Sequence, residues 1–135
     1  MILTDAGPLV AVIDRQERNH ARCLDALETL AGPMVTTWPA FTEAMHLLGA
    51  AAGWQGQQAL WEIVGSGNLQ LAATSPKGLV RMKALMEKYR DLPMDLADAS
   101  LVALAEERNL RRIFTLDRDF AVYRLPGRKT FVTVP

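Results

Sequence analysis

The sequence has one cysteine, Cys23, so no internal disulfide braces the fold. Its spacing from His20, Leu24 and Leu27 puts it on a helix face, as a reduced core residue. There are two histidines, His20 and His46, and neither has a partner at metal-ligand spacing, which leaves both as structural or surface residues. No glycine-rich phosphate loop occurs, neither G-x-G-x-x-G nor G-x-x-x-x-G-K followed by Ser or Thr, so use of a nucleoside triphosphate is unsupported. Long apolar runs are also missing. LVAVI is the longest early one, no basic segment precedes it, and Asp5 and Pro8 interrupt the N-terminus, which argues against a signal peptide and a membrane span and makes the cytoplasm the expected location. Residues 32 to 72 contain no Lys or Arg, although they hold all three tryptophans, Trp38, Trp54 and Trp61. Within it, residues 34 to 66 serve either as core or as a contact surface for a partner.

What is present is a chain of 135 residues, half of them apolar, which is enough for one domain with a sizeable core and too short for two. No repeat, linker or low-complexity segment divides it. The formal charge is zero, with fifteen basic and fifteen acidic residues. From Arg108 onward, however, seven basic residues stand against only Asp117 and Asp119, so the neutral total conceals a basic end.

Local pattern predicts an alternation of elements. MILT reads as a short buried strand, followed by a turn or helix opening at Gly7 and Pro8 and a short helix over PLVAVI. ERNHARCLDALETLA has helical spacing up to Gly32 and Pro33, and MVTT is a second strand. Pro39 suits the first turn of a helix, PAFTEAMHLLGAA, with a second helix, GQQALWEIVG, after Gly53. NLQLAA is a strand, PKGLVRMKALMEKYRD and MDLADASLVALAEE are helices, RRIFTL is a strand, DFAVY is a helical turn, and KTFVTV is the last strand. Strands alternating with helices predict an α/β fold, a parallel sheet of about five strands with helices on both faces.

In such sheets ligands bind outside the carboxyl ends of the strands. Asp5 directly follows MILT, Asp117 directly follows IFTL, and Glu43 lies in the first turns of the helix after MVTT, between Ala40 and Leu47 at spacings of three and four. Asp98 opens the helix leading into the fourth strand, and it shares a face with Leu101, Val102 and Ala105. A carboxylate in line with an apolar stripe needs a partner, a cation or an opening. Four acids at one edge repel one another unless a cation lies between them. Oxygen ligands without His or Cys suit Mg²⁺ or Mn²⁺, and such a site suits metal-assisted phosphodiester hydrolysis. Each acid also has a structural role open to it. Asp95 is placed to cap its helix, with Asp98 as the acid of a capping box, Asp98 alone complements the helix dipole, and Asp5 and Asp117 suit turns and caps. Thr115 is either an ordinary strand residue or one that orients water or phosphate, and Arg118 either meets a phosphate or belongs to a solvated face.

The order LTDAGPLVAVID, isolated Glu43, DLADASLVALAEE and IFTLDRDF resembles the PIN-domain family, and within it the VapC-like toxins, nearly end to end. The resemblance implies a Mg²⁺- or Mn²⁺-dependent endoribonuclease, a homodimer and a cognate antitoxin, with metal-centred catalytic roles for Asp5, Glu43, Asp98 and Asp117. Ala6 follows Asp5 where many relatives have Ser or Thr, so a hydroxyl is missing there. Two other readings remain: a PIN-like regulatory or assembly module without turnover, and a small-molecule phosphatase, which lacks the expected D-x-D pair after the first strand.

Overall fold

The computed structural model describes residues 1–135. Five short parallel strands form the central sheet. β1 is Ile2–Thr4, β2 Met34–Thr37, β3 Leu69–Ala72, β4 Arg112–Phe114, and the fifth, β7, is Val132–Val134. Their order across the sheet is β3-β2-β1-β4-β7. The chain thus moves outward from β1 to β3 and then returns to add β4 on the other side of β1. The reversal between β1 and β4 is a topological switch point, where parallel sheets open a crevice at the strands' carboxyl ends.

Side chains alternate across this sheet and divide the core in two. Ile2, Met34, Leu69 and Phe114 pack on one face with Leu9 and Ala11 of α1 (Ala6–Ile13), Cys23 of α2 (His20–Thr29), and Phe41 and Leu48 of α3 (Trp38–Gly65). Leu3, Val35, Ala72 and Ile113 face the other way, onto Met82 and Leu85 of α4 (Pro76–Lys88) and Leu101 and Val102 of α5 (Leu96–Arg108). The register matches: Ile2 pairs with Met34 and Met34 with Leu69, while Leu3 pairs with both Val35 and Ile113. Helices therefore cover both faces, as the alternating pattern predicts.

The helix starts follow from their caps. Asp5, Thr37, Ser75 and Asp95 each precede a helix in extended backbone and accept a hydrogen bond from its first turn. Pro39 and Pro76 sit in first turns, where the missing N–H costs nothing. Gly53 breaks α3 with a φ of 62°, so the two expected helices form one rod with a kink at that glycine.

Three expectations shift. The helix expected from Glu17 begins at His20, because the carboxylates of Asp14 and Glu17 bond to the nearby N–H groups of Gln16 and Asn19 and hold turns instead. The strand expected over RRIFTL ends at Phe114, although the Thr115 N–H still bonds to the Val134 carbonyl at 2.8 Å. KTFVTV is not one strand: β6 (Lys129–Thr130) pairs antiparallel with β5 (Arg124–Leu125), and Val132–Val134 joins the main sheet. Phe131 divides them by turning into the core, edge-on to Phe120 at 5.6 Å.

The tryptophans do not fill the core. Trp38, Trp54 and Trp61 are 48 %, 63 % and 45 % exposed. No helix is long and apolar enough to cross a membrane.

Candidate metal centre

Asp5 directly follows β1 and caps α1. Its Oδ1 accepts from the Ala6 N–H at 2.8 Å and its Oδ2 from the Thr115 hydroxyl at 2.9 Å. Burial raises its pKa, and these two bonds only partly oppose the rise. Asp117 lies just past β4 and opens a 3₁₀ turn, Arg118–Ala121, where its Oδ1 accepts from the Asp119 N–H at 2.9 Å. Thr115 ties these two acids together, since its oxygen also accepts from the Asp117 N–H at 3.0 Å. Its one proton goes to Asp5, so its placement is that of a residue that orients the carboxylate.

Asp98 enters from the opposite layer. Asp95 caps α5 by accepting from the Asp98 N–H at 2.8 Å, which fixes the backbone of the first turn. The Asp98 carboxylate does not close a capping box. It is 6 % exposed, and its Oδ2 accepts from the Tyr123 hydroxyl at 2.7 Å. Burial pushes its pKa up to about 7 against that hydrogen bond, with the negative charges of Asp95, Asp5 and Asp117 adding to the rise. Burial and the bond to Asp98 push the Tyr123 phenol up as well, so it stays a donor.

Ligand oxygens of Asp5, Asp98 and Asp117 lie within 4.8 Å of one another. They share a cleft of about 260 Å³ with Glu43, Asp95, Gly7, Leu47 and Leu116: five acids and no cation. Glu43 stands exposed on the wall of this cleft, outside the cluster of three, and its pKa is raised by partial burial and then by Asp5, Asp95 and Asp117. Such a set is self-repelling as it stands. Hard oxygen donors, closely gathered and with nothing basic among them, fit a divalent cation. Arg118 follows Asp117 and is exposed.

Sequence pattern found the four acids and the cap at Asp95. It missed that Asp95 also lines the cleft, and it missed Tyr123, whose only signal was that a buried phenol needs a hydrogen-bond partner. No spacing in the chain connects residues 98 and 123. Cys23 is fully buried, and His20 bonds through Nδ1 to the Ala11 carbonyl, which keeps both out of the site.

Comparison with known proteins gives the family. The family profile described as PIN domain matches residues 2–125. Ribonuclease VapC26 of Mycobacterium tuberculosis is 27 % identical over 135 residues, covering 99 % of this chain and 100 % of that protein. Among solved structures, Mycobacterium tuberculosis VapC20, described as a sarcin–ricin loop cleaving toxin, superposes with a TM-score of 0.84 at 14 % identity, over 90 % of this chain and 94 % of its own. VapBC2 from Rickettsia felis, bound to a DNA fragment from its promoter, gives 0.71 at 16 % identity, over the full length of both chains. The profile match spans most of the sequence and includes every residue of the acid cleft, so this chain belongs to the PIN-domain family.

Proposed function

We propose that this chain is a divalent-metal-dependent endoribonuclease, the toxin of a toxin–antitoxin pair, which hydrolyses RNA phosphodiester bonds. The observation that carries the reading is the convergence of Asp5, Asp98 and Asp117 in a cleft without a cation. These three carboxylates would hold Mg²⁺ or Mn²⁺, with Asp5 and Asp98 as the nearest ligands. When bound, such an ion neutralises phosphate charge and lowers the pKa of a water it carries.

The remaining residues act by position. Glu43 faces the cleft with a raised pKa, which suits it to take the proton of the attacking water. Thr115 and Tyr123 each donate to one ligand carboxylate, fixing its direction, as residues behind a metal ligand do. Arg118 is exposed next to Asp117, where it meets a phosphate of the bound RNA. Two structural relatives are toxin–antitoxin complexes, from Klebsiella pneumoniae and Rickettsia felis, and this supports a protein antitoxin. The exposed tryptophan surface of α3 suits that partner or the second copy of a homodimer.

Purified protein with Mg²⁺ or Mn²⁺ should cleave RNA and leave small phosphate esters intact. A module without turnover would cleave neither, and a small-molecule phosphatase would cleave the esters.

A further inference from the structure

A second cleft, of about 460 Å³, carries the opposite charge. Arg81, Lys88, Arg124 and Arg128 line it with one acid, Glu106, and the turn that joins β5 to β6. Glu106 is already satisfied, since Arg81 donates to both its oxygens at 2.7 and 3.0 Å. That is the only ion pair in the protein, so Lys88, Arg124 and Arg128 have no carboxylate partner.

These cations are held in place. Arg124 donates from Nη1 to the carbonyls of Ala121, Val122 and Tyr123 at 2.8, 2.8 and 3.1 Å, which fixes the guanidinium and leaves its other donors free. Lys88 lies over the Tyr89 ring, 5.2 Å from its centre. Arg128 has a φ of 60° directly after Gly127 at 75°. This left-handed backbone suits glycine and strains a residue with a Cβ, yet the position holds an arginine.

No residue lines both clefts, and what ties them is a pair of tyrosines inside the protein, Tyr123 being fully buried. Lys88 precedes Tyr89 and Arg124 follows Tyr123, and the two tyrosine rings meet edge-on at 5.0 Å. Tyr89 accepts from the Arg124 N–H at 3.1 Å, and the Tyr123 hydroxyl bonds to Asp98. A polyanion that crosses the surface between the end of α4 and the β5–β6 turn meets three cations without a carboxylate partner. Guanidinium forks match phosphate oxygens, and cations spread over a helix and a turn suit successive phosphates of one strand.

We propose that this cleft binds a stretch of the sugar–phosphate backbone of the RNA outside the acidic cleft. The assignment rests on the ribonuclease reading, and its test separates the two. Binding of a labelled single-stranded RNA of about 20 nucleotides is followed by anisotropy in chelator, from about 50 to about 300 mM salt. The double variant Lys88→Ala/Arg128→Gly should show a slope of log K against log salt shallower by about 1.4, the value for two lost phosphate contacts on a single strand. Glycine fits φ 60°, so the melting temperature of this variant should stay level or rise, which separates lost binding from unfolding. Arg18→Ala/Arg22→Ala, which removes two exposed cations outside the cleft, should keep the wild-type slope. An unchanged slope in the cleft variant, an equal loss in the control pair, or displacement of RNA by polyglutamate at matched charge overturns the assignment. RNA cleavage by the unaltered protein with metal reports on the nuclease separately. Cleavage with an unchanged slope removes the cleft and keeps the enzyme, and a shallower slope without cleavage does the reverse.

Discussion

Asp98 is 6 % exposed with a pKa pushed up to about 7, chiefly because burial disfavours its charged form. Its unfolded value is near 3.8, so between those two pH values the folded protein binds the extra proton. The metal-free protein therefore loses stability as pH rises from about 4 to about 7, by a few kcal/mol at most. Asp98→Asn keeps an acceptor for Tyr123 and carries no charge. In chelator the variant should melt above wild type at pH near 8 and level with it at pH near 4, and its RNA cleavage with metal should fall about 100-fold or more. Lower stability, with activity lost only in proportion, would mark Asp98 as merely structural. Tyr123→Phe keeps the rings packed on Tyr89 and Phe120 but removes a bond that holds the Asp98 pKa down. The Asp98 pKa then rises further, so a pH–rate profile should show the acid limb moved to higher pH, with the rate near pH 7 down about tenfold. An unmoved limb would mean that the phenol does not tune Asp98.

The first turn of α5 separates capping from catalysis within four residues. Asp95→Asn keeps a side-chain oxygen for the Asp98 N–H and should hold activity within about threefold, whereas Asp95→Ala should cost about 1 kcal/mol in denaturant unfolding. A collapse of activity in Asp95→Asn equal to that of Asp98→Asn would make Asp95 a ligand as well. Most element boundaries were legible because they rest on local chemistry: a cap, a first-turn proline, or a glycine such as Gly53. KTFVTV was misread because its alternation is continuous, while the division at Phe131 depends on Phe120 and on strand Arg124–Leu125, partners that local pattern does not name. The role of Tyr123 was hidden for the same reason, since its partner lies 25 residues away in the chain.

At the scale of the whole molecule, the switch point between β1 and β4 explains why acids distant in sequence meet. Asp5 and Asp117 lie just past the carboxyl ends of these two paired strands, and the start of α5 delivers Asp98 to the same edge. That much followed from the order of elements, and Glu43's place on the cleft wall followed with it. The surface of Trp38, Trp54 and Trp61 predicts association. At micromolar concentration the protein should sediment as a dimer, or as a complex with the product of the adjacent gene, and a monomer in both cases would remove the interface. Five acids around a cleft without a Lys or Arg make the requirement for metal the most exposed part of this reading. RNA cleavage should be measured in chelator and again after Mg²⁺ or Mn²⁺ is restored: activity lost in the first and recovered in the second is the expected result, and cleavage undiminished in chelator contradicts it.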